Sequence, residues 1–541
     1  MDDHKNESEA IKLSPTTKEL IKSYEAIVAT KDTSTRGETI EVSDAASFFA
    51  FVYERIRTSI EFGEEHLFRR SAIQRILRRR LGSNPKGDGE GENIVRELLW
   101  GGYFPKSSLK TNHVDIVQKA VDQFLLLKES AIKSGTVKNS VNLTEFIYDL
   151  LACEVEELLT YKDSQTRIAC LFYLYQVTKN KITIEDIPSE KKDQYYYVAC
   201  EQAFLKNDPA FVRYHLFMLT YDRLSNLDDD DIKKIGEDFG TFFRMIEKYI
   251  KNPYAEKLKR FVKKQLPPFL ILFDLMKKNR KSLEPVLSDH TVLEEKVKDL
   301  CEEKYKETNS KLKTAGIRSI IYIFATKMIF IFLIEVPVSQ LLYNQIDLLP
   351  LAINGLFPPF LMGLIVSMVN TPSSRNTASI FERVVYILDE DDSFENSVVL
   401  SIHKKKKERR PVLFALFSII YLIITAGVFW GIFRFLDYFE FHIISKIIFI
   451  FFISVVTFFG FRIRQIAKEY MVEANESFLS PFVDIIFLPI ITVGKLLSNE
   501  LAKINILMFV FDVLIEAPFK LIVEVIEEWM RFARQRKEEI V

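Results

Sequence analysis

Four stretches of this sequence constrain it more than any other feature, because each is an almost unbroken run of apolar residues. They extend from about Ser319 to Tyr343, Leu348 to Val369, Val412 to Phe433 and Ile443 to Phe461. A hydrocarbon layer ~30 Å thick needs ~20 apolar residues of helix, since in lipid every backbone N–H and C=O must be satisfied inside the segment. Soluble cores seldom supply four such runs in one part of a chain. The expected fold class is therefore all-α: a multi-pass transmembrane helical domain of four or more spans, with a large N-terminal helical domain in the cytosol.

Orientation follows from lysine and arginine near the span ends. Lys304, Lys306, Lys311, Lys313 and Arg318 precede the first span. The loop between the second and third spans holds Arg375, Arg383, Lys404, Lys405, Lys406, Lys407, Arg409 and Arg410, and Arg462, Arg464 and Lys468 follow the fourth. The opposite loops offer Arg434, with Lys446 just inside the fourth span. All four spans thus agree on cytoplasmic N- and C-termini in a cell (plasma or inner) membrane. The N-terminal MDDHKNESEA has no apolar h-region, so an internal span is expected to direct insertion.

The expected organisation is a flexible segment over 1–43, a cytosolic α-helical domain over 44–315 ending in a stalk helix, four spans over 316–465 with a cytosolic loop 370–411, and C-terminal interfacial or re-entrant amphipathic helices over 466–541. Within the second region a 3.6-residue period predicts helices over 44–81, 113–134, 143–160, 164–178, 189–206, 209–223, 229–251, 254–279 and 281–314. Arg383–Leu388 and Val398–Ile402 are the β-like runs, joined by an acidic turn that suits a small hairpin, a short amphipathic helix being the alternative. In the tail, Phe478–Leu497 is apolar but carries Pro481, Asp484, Pro489 and Lys495; two further spans are the alternative there.

The bulk numbers exclude more than they suggest. A net charge of −1 gives no electrostatic footprint for nucleic acid, and none is expected as a partner. Cys153, Cys170, Cys200 and Cys301 form no C-x-x-C pair, which speaks for reduced thiols rather than disulfides or zinc. GSNPKGDGEGEN lacks the G-K-[ST] of a phosphate loop and reads as a linker. Asp228–Asp231 lacks EF-hand register and reads as the acidic opening of a helix. No catalytic pattern is present, so neither enzymatic activity nor a cofactor is expected.

Polar residues inside apolar runs are the candidates for function. Lys327 lies nine residues beyond Arg318, ~13 Å along a helix, and a lysine at that depth costs ~2.5–3.5 kcal/mol unless it pairs, snorkels or meets water. Glu335 is ~12 Å further on, beyond direct pairing along a straight helix, and Pro337 is expected to end the span there and leave Glu335 at the interface. Asn354, Gly355, Pro358, Pro359 and Gly363 predict a broken second span of the kind that lines a cavity. Lys327, Glu335 and Asn354 could line a polar path; alternatively Lys327 meets Asp484 or Asp512 in a packed bundle. The run Lys404, Lys405, Lys406, Lys407, Arg409 and Arg410 suits the anionic lipids of the inner leaflet, as a topology anchor. Arg69, Arg70, Arg75, Arg78, Arg79 and Arg80 share one helix, for which pairing with acids such as Glu154, Glu156 and Glu157 is the expectation. Taken together, the sequence points to a membrane-anchored scaffold whose cytosolic domain binds a protein partner or its own copies, the alternative being a transporter or channel using the second span.

Overall fold

The computed structural model describes residues 10–29, 37–40, 64–135, 140–185, 187–280, 282–343, 347–369, 372–389, 399–402, 411–472 and 480–503, with Val525 and Trp529 besides. In chain order the helices are α1 (Pro15–Ala29), α2 (Glu65–Ser83), α3 (Glu90–Trp100), α4 (Thr111–Lys133), α5 (Ser140–Leu159), α6 (Tyr161–Thr178), α7 (Ser189–Cys200), α8 (Pro209–Tyr221), α9 (Asp229–Ile250), α10 (Ala255–Lys278), α11 (Leu283–Ser288), α12 (His290–Phe330), α13 (Val336–Tyr343), α14 (Leu348–Ser367), α15 (Ser374–Leu388), α16 (Pro411–Tyr438), α17 (Ile443–Ala467) and α18 (Ser480–Lys503). Two short strands, β1 (Ile182–Ile184) and β2 (Leu400–Ile402), complete the set. The chain divides into two compact units, one built on 13–264 with 390–402 and the other on 265–389 with 403–509.

The first unit packs around one core to which α2 to α5, α8 and α9 contribute. Helix α9 shows why the pattern folds this way. Ile232, Ile235, Phe239, Phe242 and Ile246 recur at alternating steps of three and four, lie on one face, and are all buried. Its start is set by Asp228, whose carboxylate accepts the Asp231 N–H at 2.8 Å, so the acidic run is a helix cap as expected. Asp208 caps α8 in the same way ahead of Pro209. Helix α3 was not foreseen. The glycine stretch is a linker only as far as Gly89, where Gly87 and Gly89 turn at φ 75° and 74°, a region open to glycine. From Glu90 onward Ile94, Val95, Leu98 and Leu99 bury one face. The expected helix from residue 44 is seen from Glu65; its first part lies outside the described residues.

The expected hairpin is not formed. Arg383–Leu388 belongs to α15, whose Ile380, Val384, Ile387 and Leu388 make a buried helical stripe. Strand β2 instead pairs in parallel with β1 (Ile182↔Leu400, Ile184↔Ile402), burying Ile182, Ile184 and Ile402. Helical spacing outweighed the β-branched residues of α15, a common outcome for short apolar runs.

In the second unit α12 runs 41 residues from an Asp289 cap through a charged first half into an apolar second half without a break, as the stalk reading expected. Among the described residues, four helices are long and apolar enough to cross a membrane: His290–Leu342, Leu348–Ser367, Ala415–Tyr438 and Ile443–Ala467. The second is not broken. Helix α14 continues through Pro358 and Pro359, although each proline withholds an N–H from the carbonyl four residues earlier. Helix α18 lies against α17 so closely that a Cβ at Gly494 would sit 2.0 Å from the Ser454 carbonyl oxygen.

The two ends of this unit are tied differently. At one, the Asn376 amide donates to Tyr305 Oη (2.7 Å) and to the Tyr470 carbonyl (2.8 Å) and accepts from the Val472 N–H (2.8 Å). One side chain thereby joins the segments before the first, after the second and after the fourth apolar helix. At the other, His442 meets Asp347 at 2.9 Å and Lys446 pairs with Asp437.

Candidate functional site

The long apolar helices of the second unit expose large apolar side chains, and the ionisable residues within the first of them are turned into an otherwise apolar interior. Leu341, Tyr438 and Trp430 are 80%, 83% and 65% exposed, whereas Lys327, Glu335 and Asn354 are 0%, 1% and 0% exposed. Ser454 and Thr457 are buried as well, and along Ala415–Tyr438 every residue but Leu436 is at least partly exposed. Water-facing proteins show the reverse distribution.

Lys327, Glu335 and Asn354 come together, which corrects the expectation that Lys327 and Glu335 lie too far apart. Eight residues of straight α-helix, at ~100° each, leave two side chains about 80° apart around the axis. Between them, however, Ile331–Glu335 forms a π turn that runs directly into α13. Pro337 supplies the cause. It has no N–H for the Leu333 carbonyl and its ring crowds that oxygen, and a wider turn relieves both. The slower winding brings Glu335 round to the Lys327 face. The helix then continues to Tyr343, so Pro337 does not end it and Glu335 is buried instead of lying at an end.

The resulting contacts are few. Lys327 Nζ lies 3.7 Å from Glu335 Oε2 and 4.2 Å from the centre of the Phe452 ring. Asn354 Nδ2 donates to Glu335 Oε1 at 2.5 Å. Lys327 Nζ, Glu335 Oε2 and Asn354 Oδ1 have no hydrogen-bond partner. Lys327 therefore pairs with Glu335; of the expected alternatives, the Asp484 side chain and all of Asp512 lie outside the described residues, as do Lys404, Lys405, Lys406, Lys407, Arg409 and Arg410.

The first unit holds a second buried polar group, larger and better bonded. Its backbone is α5, where Glu154, Glu156 and Glu157 are all under 4% exposed. Arg69 Nε and Nη2 reach Glu156 Oε1 at 3.1 and 2.9 Å, with Arg167 3.5 Å from Oε2. Arg223 lies 3.1 Å from Glu157 and 3.6 Å from Glu154, and Tyr214 donates to Glu154. His215 bridges two carboxylates, Nε2 to Glu157 at 2.7 Å and Nδ1 to Glu201 at 2.6 Å. Carboxylates only accept, so both ring nitrogens donate and the ring is a cation. Burial would push its pKa down, but the Glu201 and Glu157 carboxylates outweigh burial and push it up to about 10. Asn207 extends the chain, donating to Glu201 Oε1 and accepting from His66 Nε2, each at 2.9 Å. Burial, helped by the Arg167 charge, pushes His66 down to about 4, which keeps that ring neutral. Four carboxylates thus meet three guanidiniums and one imidazolium. A cavity of about 10 Å³, room for one water, lies beside His66, Arg167, Asn207 and His215.

The arginine helix is accounted for by the same pairing logic. Arg70 meets Asp208, Arg78 meets Glu145, Arg79 and Arg80 meet Glu97, and Arg75 donates to Tyr103 at 3.1 Å. Of the three acids Glu154, Glu156 and Glu157, only Glu156 is met from this helix, by Arg69, while Arg78 and Arg70 reach Glu145 and Asp149 earlier on α5; Glu154 and Glu157 are served from α8 and the turn after it. The roles of Glu201 and His215 were not legible. The available signal was three acids set in LLACEVEELL, an apolar helix that must bury them.

No protein-family model, no curated protein and no solved structure matches this chain.

Proposed function

We propose that this chain is a multi-pass membrane protein that holds its N-terminal helical unit at the cytosolic face as a scaffold for a protein partner or for its own copies. The observation that carries the membrane half of this reading is the exposed apolar surface of the four long helices, with Lys327 and Glu335 turned inward among them. Lipid rewards that arrangement and water penalises it. The three-way bond of Asn376 supports a common side for the segments flanking the first, second and fourth helices. Pairing of β2 with β1 supports the same side for the N-terminal helices and the loop 370–411. The lysine and arginine excess on those segments selects the cytosol, with Lys404–Lys407, Arg409 and Arg410 against anionic lipid.

Topology is tested with single introduced cysteines and an impermeant thiol reagent on intact cells. The four native cysteines are buried and give a quiet background. Tyr438→Cys should label from outside, and Ser373→Cys only after permeabilisation. Labelling of Ser373→Cys in intact cells, or release of the protein by alkaline carbonate, ends the reading.

A second reading, a polar passage through the helices, is favoured by one observation: the hydrogen-bonding capacity left open on Lys327, Glu335 and Asn354. Ionisable groups at membrane depth most often serve a pathway.

A further inference from the structure

We propose that Lys327, Glu335 and Asn354 form a proton-carrying site, at which Glu335 takes up one proton from one side of the membrane and releases it to the other. This rests on the second reading above and names what would use such a passage.

The open valences define the guest. Lys327 offers N–H donors, while Glu335 Oε2 and Asn354 Oδ1 each offer an acceptor. A water molecule complements that set, accepting from Lys327 and donating to the two oxygens. Backbone atoms extend the polar lining. Pro358 and Pro359 withhold the N–H groups that would cover the carbonyls of Asn354 and Gly355, at and beside one of the three side chains. Uncovered backbone at membrane depth is tolerated where protein or water meets it.

The proton step balances simply. A hydronium ion gives its proton to Oε2, forming the O–H bond and leaving water; Oε1 is already held by Asn354 Nδ2. Lys327 stays an ammonium against the Phe452 ring, so the pair passes from net zero to a single positive charge. That net charge is costly in hydrocarbon, which favours release of the proton over its retention. A metal cation is disfavoured because it would have to approach a carboxylate that an ammonium 3.7 Å away already neutralises. A proton enters a covalent bond and needs no such room. From α14 and α17 the groups facing the pair are Asn354 and Phe452, neither of which titrates.

The experiment uses the full chain in liposomes, with a potassium diffusion potential as driving force and a trapped pH-sensitive dye as readout. Carbonate extraction of the same liposomes reports insertion separately. The wild type should acidify the lumen roughly tenfold or more faster than protein-free liposomes, and Glu335→Gln should return to the protein-free rate. Lys446→Gln, which removes a charge at the end of the bundle, should keep the wild-type rate. The double variant Lys327→Met with Glu335→Gln removes both charges at little change in volume, so it guards against misfolding; it too should be silent. An inserted wild type no faster than protein-free liposomes overturns the proposal, as does flux that survives Glu335→Gln. Failure to insert overturns the membrane reading and the proton site with it.

Discussion

The two units bury charge in opposite ways. In the first, Glu154, Glu156, Glu157 and Glu201 meet Arg69, Arg167, Arg223 and His215, charge balances, and most lone pairs are filled. In the second, a single lysine and a single glutamate are buried as completely as those carboxylates and bonded far less. A group surrounded by helices rich in polar side chains can recruit partners from several elements. Among apolar helices recruits are scarce, and each buried ion must be offset by one or two neighbours. The first arrangement is what stability asks of buried charge; the second leaves open valence, and open valence is where chemistry can occur.

The sharpest way to break this contrast is to unbalance the dense group. Glu156→Leu strands Arg69 and Arg167 with only peripheral partners, and removing one member of a buried charge network costs ~3–5 kcal/mol. Hydrogen exchange of the α5 amides should accelerate accordingly. Unchanged protection would mean that the network is a solvated surface feature, and the comparison would lose its first member.

Next in size is the pH response of the two histidines, which oppose each other. His66 titrates at about 4 in the folded chain, below its unfolded value near 6.5, so its neutral form is fully stabilising above ~6.5 and that stability is lost as pH falls through 4. The loss is on the order of 3 kcal/mol. His215 titrates at about 10, above its unfolded value, so its contribution is complete below ~6.5 and is lost as pH rises through 10. Denaturant midpoints of the wild type should therefore fall on both sides of neutrality, with His66→Gln flattening the acid limb and His215→Gln the alkaline one. A variant that flattens the wrong limb refutes the assignment.

How much of this was legible in the sequence depends on the distance over which the signal acts. Local, periodic signals were sufficient: the four apolar runs, the Asp228 cap and the unbroken stalk. What failed depended on geometry that residue counting treats as straight. Pro337 was read as a stop, yet it widened one turn and thereby made the Lys327–Glu335 contact that straight-helix arithmetic denied. Pro358 and Pro359 were read as a break, yet α14 runs through them. Contacts between elements distant in the chain, His215 with Glu157 and Glu201 or β2 with β1, leave no periodic trace.

The smallest effect concerns the sparse pair and separates cost from capacity. Lys327→Met leaves Glu335 buried with Asn354 as its one bonded partner, and the loss should be about 2 kcal/mol, below the figure for Glu156 because a chain still in the membrane when unfolded finds other partners for a stray carboxylate. Adding Glu335→Gln should recover most of that loss, since Gln can keep the Asn354 bond while neither charge remains. Thermal unfolding in detergent of the two variants beside the wild type reads this directly. Recovery means that the pair adds little to stability, so its retention needs a use beyond holding the helices together. A double variant as weak as the single one would make the pair a structural lock, and the contrast between the two units would become one of degree.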